Sequence, residues 1–177
     1  MELPAVWGVY SISKELFDCI GYYIPSGSTV LEFGSGFATG ELCKKYSVIS
    51  IEDDERFLNL YPTHYVYAGR TRVPYNWYDM DEIKKSLTMG YDAVLVDGNS
   101  DDGRLKGLIA NSDFFNWDIP WFFDDLNITT INIDFENFIK DKLKRPFIKY
   151  MVGPKPWGVI LPKNWTGTIW EPNEIQA

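Results

Sequence analysis

A short stretch early in the chain combines small residues in a spacing that suits ligand binding. Gly34, Ser35 and Gly36 follow an apolar run at 30–31. Glycines let a ligand approach the backbone closely, and a turn from a strand into a helix leaves free N–H groups. In an open α/β sheet, ligands bind beyond the carboxyl ends of the strands. The turn is therefore a candidate binding site, although a tight structural turn could have the same residues.

Two acids near this turn narrow the choice of ligand. Glu52 ends the predicted second strand, 18 residues after Gly34, where an acid can accept hydrogen bonds from both ribose hydroxyls. Glu32 lies two residues before Gly34, and its charge repels a pyrophosphate but suits a cationic amino acid end. The dinucleotide pattern G-x-G-x-x-G also requires glycine where Thr39 stands. The acids therefore favour a ligand with a cationic end over a dinucleotide.

Three segments resemble motifs of one enzyme family. VLEFGSG at 30–36, followed by ISIED at 49–53, looks like motif I and the next acidic motif of class I S-adenosylmethionine-dependent methyltransferases. YDAVLVDG at 91–98 is similar to the fourth-strand motif of that family. One difference is Ala38, which stands where the commonest motif I has a further glycine. The resemblance implies a methyltransferase with S-adenosylmethionine as its cofactor.

The resemblance also implies roles for individual residues. Glu32 and the backbone of the turn (Gly34, Ser35 and Gly36) would face the methionine end of the cofactor. Glu52 would hold the ribose, Asp53 would help to position the adenosine, and the segment 67–69 would flank the adenine. These residues, together with Asp97 at the end of the fourth strand, form the expected cofactor site.

Acids at the ends of later strands are the candidates for catalysis. Asp97 follows the predicted fourth strand, while Asp124 and Asp125 follow the fifth, so their side chains should be neighbours at the rim of the cleft. Asp97 and Asp124 could bind substrate or act as a base, and Arg104 could orient Asp97 or a substrate carboxylate. Three carboxylates could also hold a divalent cation, as in the cation-dependent O-methyltransferases that they resemble. The Asp-Asp pair and the absence of a lysine soon after Asp97 weigh against this metal.

Other side chains support different activities. DIPW at 118–121 has the letters of an amino-methyltransferase motif, but it precedes the fifth strand instead of following the fourth. His64 could be a base, although a strand-edge position away from the cleft is favoured. Four aromatic residues lie in segments that could cover the cleft or pack in the core: Trp7, Tyr10, Trp77 and Tyr78. A protein that binds S-adenosylmethionine without catalysis and a nicotinamide oxidoreductase remain alternatives.

Strands and helices alternate along the chain, which predicts an α/β, Rossmann-like three-layer sandwich with a mostly parallel sheet. The predicted strands are 29–33, 48–52, 65–68, 91–96 and 121–123. The predicted helices are 12–24, 38–46, 54–61, 80–88, 104–110 and 130–143. We expect one methyltransferase-like domain over 1–177, with an N-terminal helical cap at 1–26 and a closing antiparallel hairpin at 145–165.

Composition limits the partners of this domain. The net charge of −8 disfavours nucleic acid, so the expected acceptor is a small molecule with an oxygen nucleophile slightly favoured. The sequence shows neither a secretory signal nor an apolar run of the roughly 20 residues that a membrane helix needs. Cys19 and Cys43 suit reduced thiols in a cytoplasmic protein. A homo-oligomer could complete the site, because a chain of 177 residues leaves little room for a substrate-binding insertion.

Overall fold

The computed structural model describes residues 6–7, 11–71, 75–98, 103–126 and 129–172, with only the backbone described at 129–132. The strands in this part of the chain are β1 (Thr29–Phe33), β2 (Ser47–Glu52), β3 (His64–Tyr67), β4 (Arg70–Thr71), β5 (Trp77–Tyr78), β6 (Ala93–Val96), β7 (Trp121–Phe123), β8 (Phe147–Tyr150) and β9 (Trp157–Ile160). The helices are α1 (Lys14–Tyr23), α2 (Phe37–Leu42), α3 (Met80–Leu87), α4 (Gly103–Ala110) and α5 (Thr129–Asn137). A π-helical segment, Phe138–Leu143, continues α5.

Within the described residues, seven strands form one sheet in the order β3-β2-β1-β6-β7-β9-β8. The first five strands in this order, β3, β2, β1, β6 and β7, pair in parallel, whereas β9 runs antiparallel to both of its neighbours. Strands β8 and β9 form the predicted closing hairpin. The strand order reverses between β1 and β6, and this is where ligands bind in open α/β sheets.

Alternate side chains of each central strand enter two different apolar clusters. Leu31 and Phe33 of β1 belong to the cluster that includes residues of α3, α4 and α5, while Val30 belongs to the cluster that includes residues of α1 and α2. Burial on both faces explains why these strands are continuously apolar instead of alternating. The predicted α/β sandwich with helices on both sides of the sheet is confirmed.

In helix α1, the local sequence determines both the start of the helix and the face that is buried. Ser13 caps the helix by accepting a hydrogen bond from the Leu16 N–H. Its buried residues recur at helical spacing and pack on the sheet: Leu16, Phe17, Cys19, Ile20 and Tyr23.

Both cysteines are free thiols, Cys19 buried and Cys43 half-buried. None of the helices in the described ranges has the length and apolar character that a membrane crossing requires.

The helix predicted at 54–61 is wrong. Only a 3-10 turn, Glu55–Phe57, forms there, because the Asp54 carboxylate accepts the Arg56 N–H and favours a local turn. Asn59 then takes a left-handed conformation with φ 61°, which a continuing helix excludes. The helix predicted at 38–46 is also shorter than expected and ends at Leu42.

Candidate cofactor-binding and catalytic site

The glycine turn lies at the switch point of the sheet, where it meets the end of β6. Gly34 has φ +87°, and a Cβ atom on it would lie 2.2 Å from the Cα atom of Gly98. A Cβ atom on Gly98 would lie 2.4 Å from the Cα atom of Gly34 and 2.3 Å from the Tyr78 hydroxyl oxygen. The two strand ends therefore touch backbone to backbone, and only glycine fits at either position.

The carboxylate of Glu52 ties this turn to the end of β2. Its Oε2 atom accepts the Ser35 N–H at 2.8 Å and the Ser35 hydroxyl at 3.2 Å, and its Oε1 atom accepts the N–H groups of Asp53 and Asp54 at 2.8 and 2.9 Å. Burial raises the pKa of Glu52, while the three backbone N–H donors oppose this shift. A carboxylate offers about four acceptor positions, so an added hydroxyl must displace a present donor. The Ser35 hydroxyl can be displaced, because it also donates to the Phe57 carbonyl at 3.1 Å.

Glu32 lies below the turn, in the interior of the sheet. It is 1% exposed, and its Oε2 atom accepts hydrogen bonds from the hydroxyls of Thr39 at 2.8 Å and Ser50 at 2.7 Å. The Gly36 N–H donates to the same Thr39 hydroxyl at 2.9 Å, so one hydroxyl connects the turn to this acid. Burial raises the pKa of Glu32 to about 8, and the charges of Asp97 and Glu52 add to the shift.

The outer edge of the site is formed by residues that follow β2 and β3. Asp53 is ion-paired with Arg70, whose Nε atom donates to its carboxylate. Tyr67 pairs with Glu52 at the end of the two strands and is 47% exposed, so it is not a core residue. The segment expected to flank the adenine therefore lies beside the acid expected to hold the ribose.

The predicted catalytic acids come together at the ends of β6 and β7. Carboxylate oxygens of Asp97, Asp124 and Asp125 all lie within 4.8 Å of one another. Burial, followed by the charge of Asp97, raises the pKa of Asp124 to about 8, and burial also raises the pKa of Asp97. Asp97 is half-buried whereas Asp124 is 1% exposed, so Asp97 is the more accessible of the two.

Arg104 holds these strand ends in place from below. It is buried, and its guanidinium donates to the backbone carbonyl of Asp97 at 2.7 Å and to that of Asp124 at 3.0 Å. A third contact reaches the Asp125 carboxylate at 3.7 Å. Arg104 thus joins the backbone ends of β6 and β7.

A residue that sequence reasoning missed completes the acidic cluster. The Nζ atom of Lys155, from the loop between β8 and β9, lies 2.7 Å from Asp124 Oδ2 and 2.8 Å from Asp125 Oδ1. Burial opposes its charge, but the carboxylates around it raise the pKa of Lys155 overall. The lysine is 58 residues away from Asp97 in the sequence, and no local motif predicts the contact. Thr39 and Ser50 were missed as partners of Glu32 for the same reason.

Two other candidates, His64 and the DIPW segment, lie away from this edge of the sheet. His64 is exposed at the first position of β3, at the opposite end of the strand from Tyr67. In the DIPW segment, Trp121 is fully buried at the start of β7 and Asp118 pairs with Arg145, so this segment lines no cleft at the strand ends. Tyr10 lies outside the described residues.

The aromatic side chains that could cover the cleft or pack in the core are buried or half-buried where the structure describes them. Trp77 and Tyr78 are buried, with ring centroids 5.5 and 5.7 Å from that of Phe33. Trp7 is half-buried and packs edge-on against Phe37, the first residue of α2, at 5.1 Å. Trp7 therefore packs at the start of α2, directly after the glycine turn.

The residues at this edge fit S-adenosylmethionine. Glu52 and Asp97 place acidic groups at the ends of the two strands that flank β1, with Glu32 below the turn, and a cationic ligand favours the ionised form of such groups whereas a pyrophosphate is repelled by it. The buried Tyr78 hydroxyl has no hydrogen-bond partner among the described residues, and it lies against the Gly34–Gly98 contact. A polar group of this kind is available to a ligand.

No protein-family model matches this chain, and no curated protein matches it. Solved structures do match. Fibrillarin from Aeropyrum pernix with natively bound S-adenosyl-L-methionine is 12% identical with a TM-score of 0.60, over 83% of this chain and 73% of that one. An rRNA methylase from Streptococcus thermophilus is 13% identical with a TM-score of 0.55, over 82% and 92%.

A third match is the C-terminal domain of precorrin-6Y C5,15-methyltransferase from Rhodobacter capsulatus. It is 13% identical with a TM-score of 0.53, over 88% of this chain and 91% of that one. At such identities the shared property is the backbone architecture and its strand order. The chain has the Rossmann-like α/β fold of class I S-adenosylmethionine-dependent methyltransferases.

Proposed function

We propose that this protein is an S-adenosylmethionine-dependent methyltransferase that acts on the oxygen of a small-molecule acceptor. The observation that carries the proposal is the link between the glycine turn and the end of β2, in which Ser35 donates to Glu52 at 2.8 Å. This link lies at the switch point of the sheet, next to Asp97. The turn, the ribose-binding acid and the candidate base thus occupy one edge of the sheet.

Each residue has a defined task in this proposal. The cofactor supplies an activated methyl group, so the protein mainly has to bind and align the reactants. Glu52 accepts one ribose hydroxyl once the Ser35 hydroxyl turns to its second acceptor, the Phe57 carbonyl. Glu32 lies below the cationic end of the cofactor, whose charge favours ionisation of this buried carboxyl group.

Asp97 and Asp124 define the chemistry of the acceptor. A hydroxyl group is a poor nucleophile until a base takes its proton, and a base works best when its pKa is near the working pH. Burial raises the pKa of Asp97 toward this range, which supports an oxygen nucleophile. Asp97 takes the proton from the acceptor hydroxyl because it is the more accessible of the two acids. The buried Asp124 carboxyl group lies beside it and affects its pKa.

Calorimetry with S-adenosylmethionine and S-adenosylhomocysteine tests cofactor binding. We expect both to bind the wild-type protein, and we expect Glu52→Gln to weaken binding by roughly 10-fold or more, since it removes a charged hydrogen-bond acceptor. Glu82→Gln, in the first turn of α3, where the carboxylate pairs with Lys85, is the matched control and should bind normally. Absence of binding to the wild-type protein would overturn the proposal, and NAD binding in its place would favour an oxidoreductase.

A second experiment separates catalysis from simple binding. Release of S-adenosylhomocysteine is measured over a panel of alcohols, phenols, carboxylic acids and amines. Turnover of hydroxyl compounds, lost in Asp97→Asn while cofactor binding remains measurable, is the expected result. Turnover of amines alone would contradict the preference for oxygen, and binding without any turnover would favour a non-catalytic binding protein.

A further inference from the structure

The loop between β8 and β9 delivers a lysine into the acidic cluster. Lys155 reaches two of the three carboxylates, at 2.7 Å from Asp124 and 2.8 Å from Asp125. Its side chain is only 14% exposed, and the Asp124 side chain is fully buried. This is an interior ion pair, in contrast to the solvent-exposed pairs along the helices.

The loop is built to hold Lys155 in this position. Proline precedes and follows the lysine in the sequence Gly153-Pro154-Lys155-Pro156, and both rings restrict the backbone. The Pro156 carbonyl accepts the Leu126 N–H at 2.8 Å, directly after the acidic pair. The next indole, that of Trp157, donates to the Val152 carbonyl at 3.2 Å and closes the loop. Little conformational freedom remains to be lost when the lysine contacts the acids.

The ammonium group lies beside the oxygen atoms that a metal ion would need as ligands. Oxygen atoms of Asp97, Asp124 and Asp125 lie within 4.8 Å of one another, a spacing that suits shared ligation of one cation. The ammonium group already contacts Asp124 and Asp125 at ion-pair distance. A divalent cation among the same oxygens would stand close to this positive charge and be repelled by it.

We infer that Lys155 is a tethered cation that takes the place of a divalent metal among Asp97, Asp124 and Asp125. The site is therefore independent of metal, and removal of the lysine amine converts the three acids into a divalent-cation site. This inference concerns the residues of the proposed active site, but it holds whether or not the protein transfers methyl groups. Lys155 acts on the acids and is a positioning residue.

Binding of Mn²⁺ alone, followed by electron paramagnetic resonance on the full chain, tests the inference. We expect the wild-type protein to show no saturable Mn²⁺ site at submillimolar concentration. Lys155→Ala should gain one site per chain, with at least 10-fold higher affinity than any wild-type binding, and Lys155→Ala/Asp124→Asn should lose it. Lys149→Ala is the matched control, because Lys149 lies on β8 and pairs with Glu136 away from the cluster; it should behave as the wild type.

Each result decides the inference. A saturable Mn²⁺ site in the wild-type protein that Asp124→Asn removes would overturn it, and so would a folded Lys155→Ala that binds no Mn²⁺. If Lys155→Ala folds only when Mn²⁺ is present, the inference is supported. If that variant does not fold in either condition, Lys155→Met/Asp124→Asn decides. Recovery of folding in this double variant shows that the two charges compensate each other, whereas failure to recover overturns the inference.

Discussion

Single acids at the strand ends combine a structural and a chemical role. Glu52 was predicted from its place at the end of β2, and Glu32 from its place before the glycines. The structure adds their partners, since Ser35 anchors Glu52 while Thr39 and Ser50 anchor Glu32. The roles of Glu32 and Glu52 in cofactor binding remain a prediction from the sequence motifs. The structure adds the protein groups that hold the two side chains.

The buried carboxyl group of Glu32 makes folding stability depend on pH. The folded protein raises its pKa from 4.5 to about 8, so the folded state keeps a proton that the unfolded chain releases. The free energy of unfolding therefore falls as the pH rises from about 4.5 to about 8. We expect Glu32→Gln to remove this part of the dependence.

Urea denaturation of both proteins at pH 5 and pH 8 measures the effect. Between pH 5 and pH 8, the free energy of unfolding of the variant should rise relative to that of the wild type by roughly 2–4 kcal/mol, since one pKa unit corresponds to about 1.4 kcal/mol. Asp124 and all other groups are the same in both proteins, so the difference isolates Glu32. A constant difference between the two proteins at both pH values would show that this acid is ionised in the folded state.

At the scale of elements, most of the sheet follows from local sequence. Short apolar runs predicted β1 and β7 at their observed bounds, and Asp79 marked the start of α3. The failed helix at 54–61 shows the limit of periodicity, since a single Asp side chain there diverts the backbone into a turn. The β4–β5 ribbon was not predicted, because its two-residue strands are too short to produce a pattern.

The contact between the ends of β1 and β6 predicts a large cost for Gly34→Ala. In this variant, alanine has to adopt a positive φ, and its Cβ atom overlaps the backbone of Gly98. We therefore expect a loss of at least about 3 kcal/mol in the free energy of unfolding. Gly27→Ala is the matched control: Gly27 has φ +89°, yet nothing lies within 4 Å of an added Cβ atom. Its cost should be about 1 kcal/mol. Equal losses in the two variants, measured by urea denaturation, would refute the close contact.

At the scale of the whole molecule, distant segments complete the structure. The segment after β9 crosses the face of α1, where the Tyr150 hydroxyl donates to the Trp170 carbonyl at 2.7 Å and the Trp170 N–H donates to the Tyr23 hydroxyl at 2.9 Å. Neither this crossing nor the Lys155 contact could be read from the sequence. Both join residues far apart in the chain, and a single sequence holds no signal for such pairs.

Trp170 is expected to secure this crossing segment. Its ring packs on Tyr150 at 5.4 Å and on Trp157 at 5.6 Å between centroids. Trp170→Ala should therefore lower the free energy of unfolding by about 1–3 kcal/mol, less than a fully buried tryptophan. Ile169→Ala, at a neighbouring residue that is 52% exposed, should change stability by less than about 0.5 kcal/mol. Thermal or urea melts that do not distinguish the two variants would show that the segment is not docked.

The place of β9 in the sheet has a consequence for folding of the protein. Strand β9 is the last of the described strands to be made, yet it lies between β7 and β8. Until β9 has folded onto the sheet, the β7 edge of the chain has no antiparallel neighbour, and its sequence is Trp-Phe-Phe. An open apolar edge of this kind is prone to pair with other chains. We therefore expect the folding intermediate that lacks β9 to be the form of the protein most prone to aggregate.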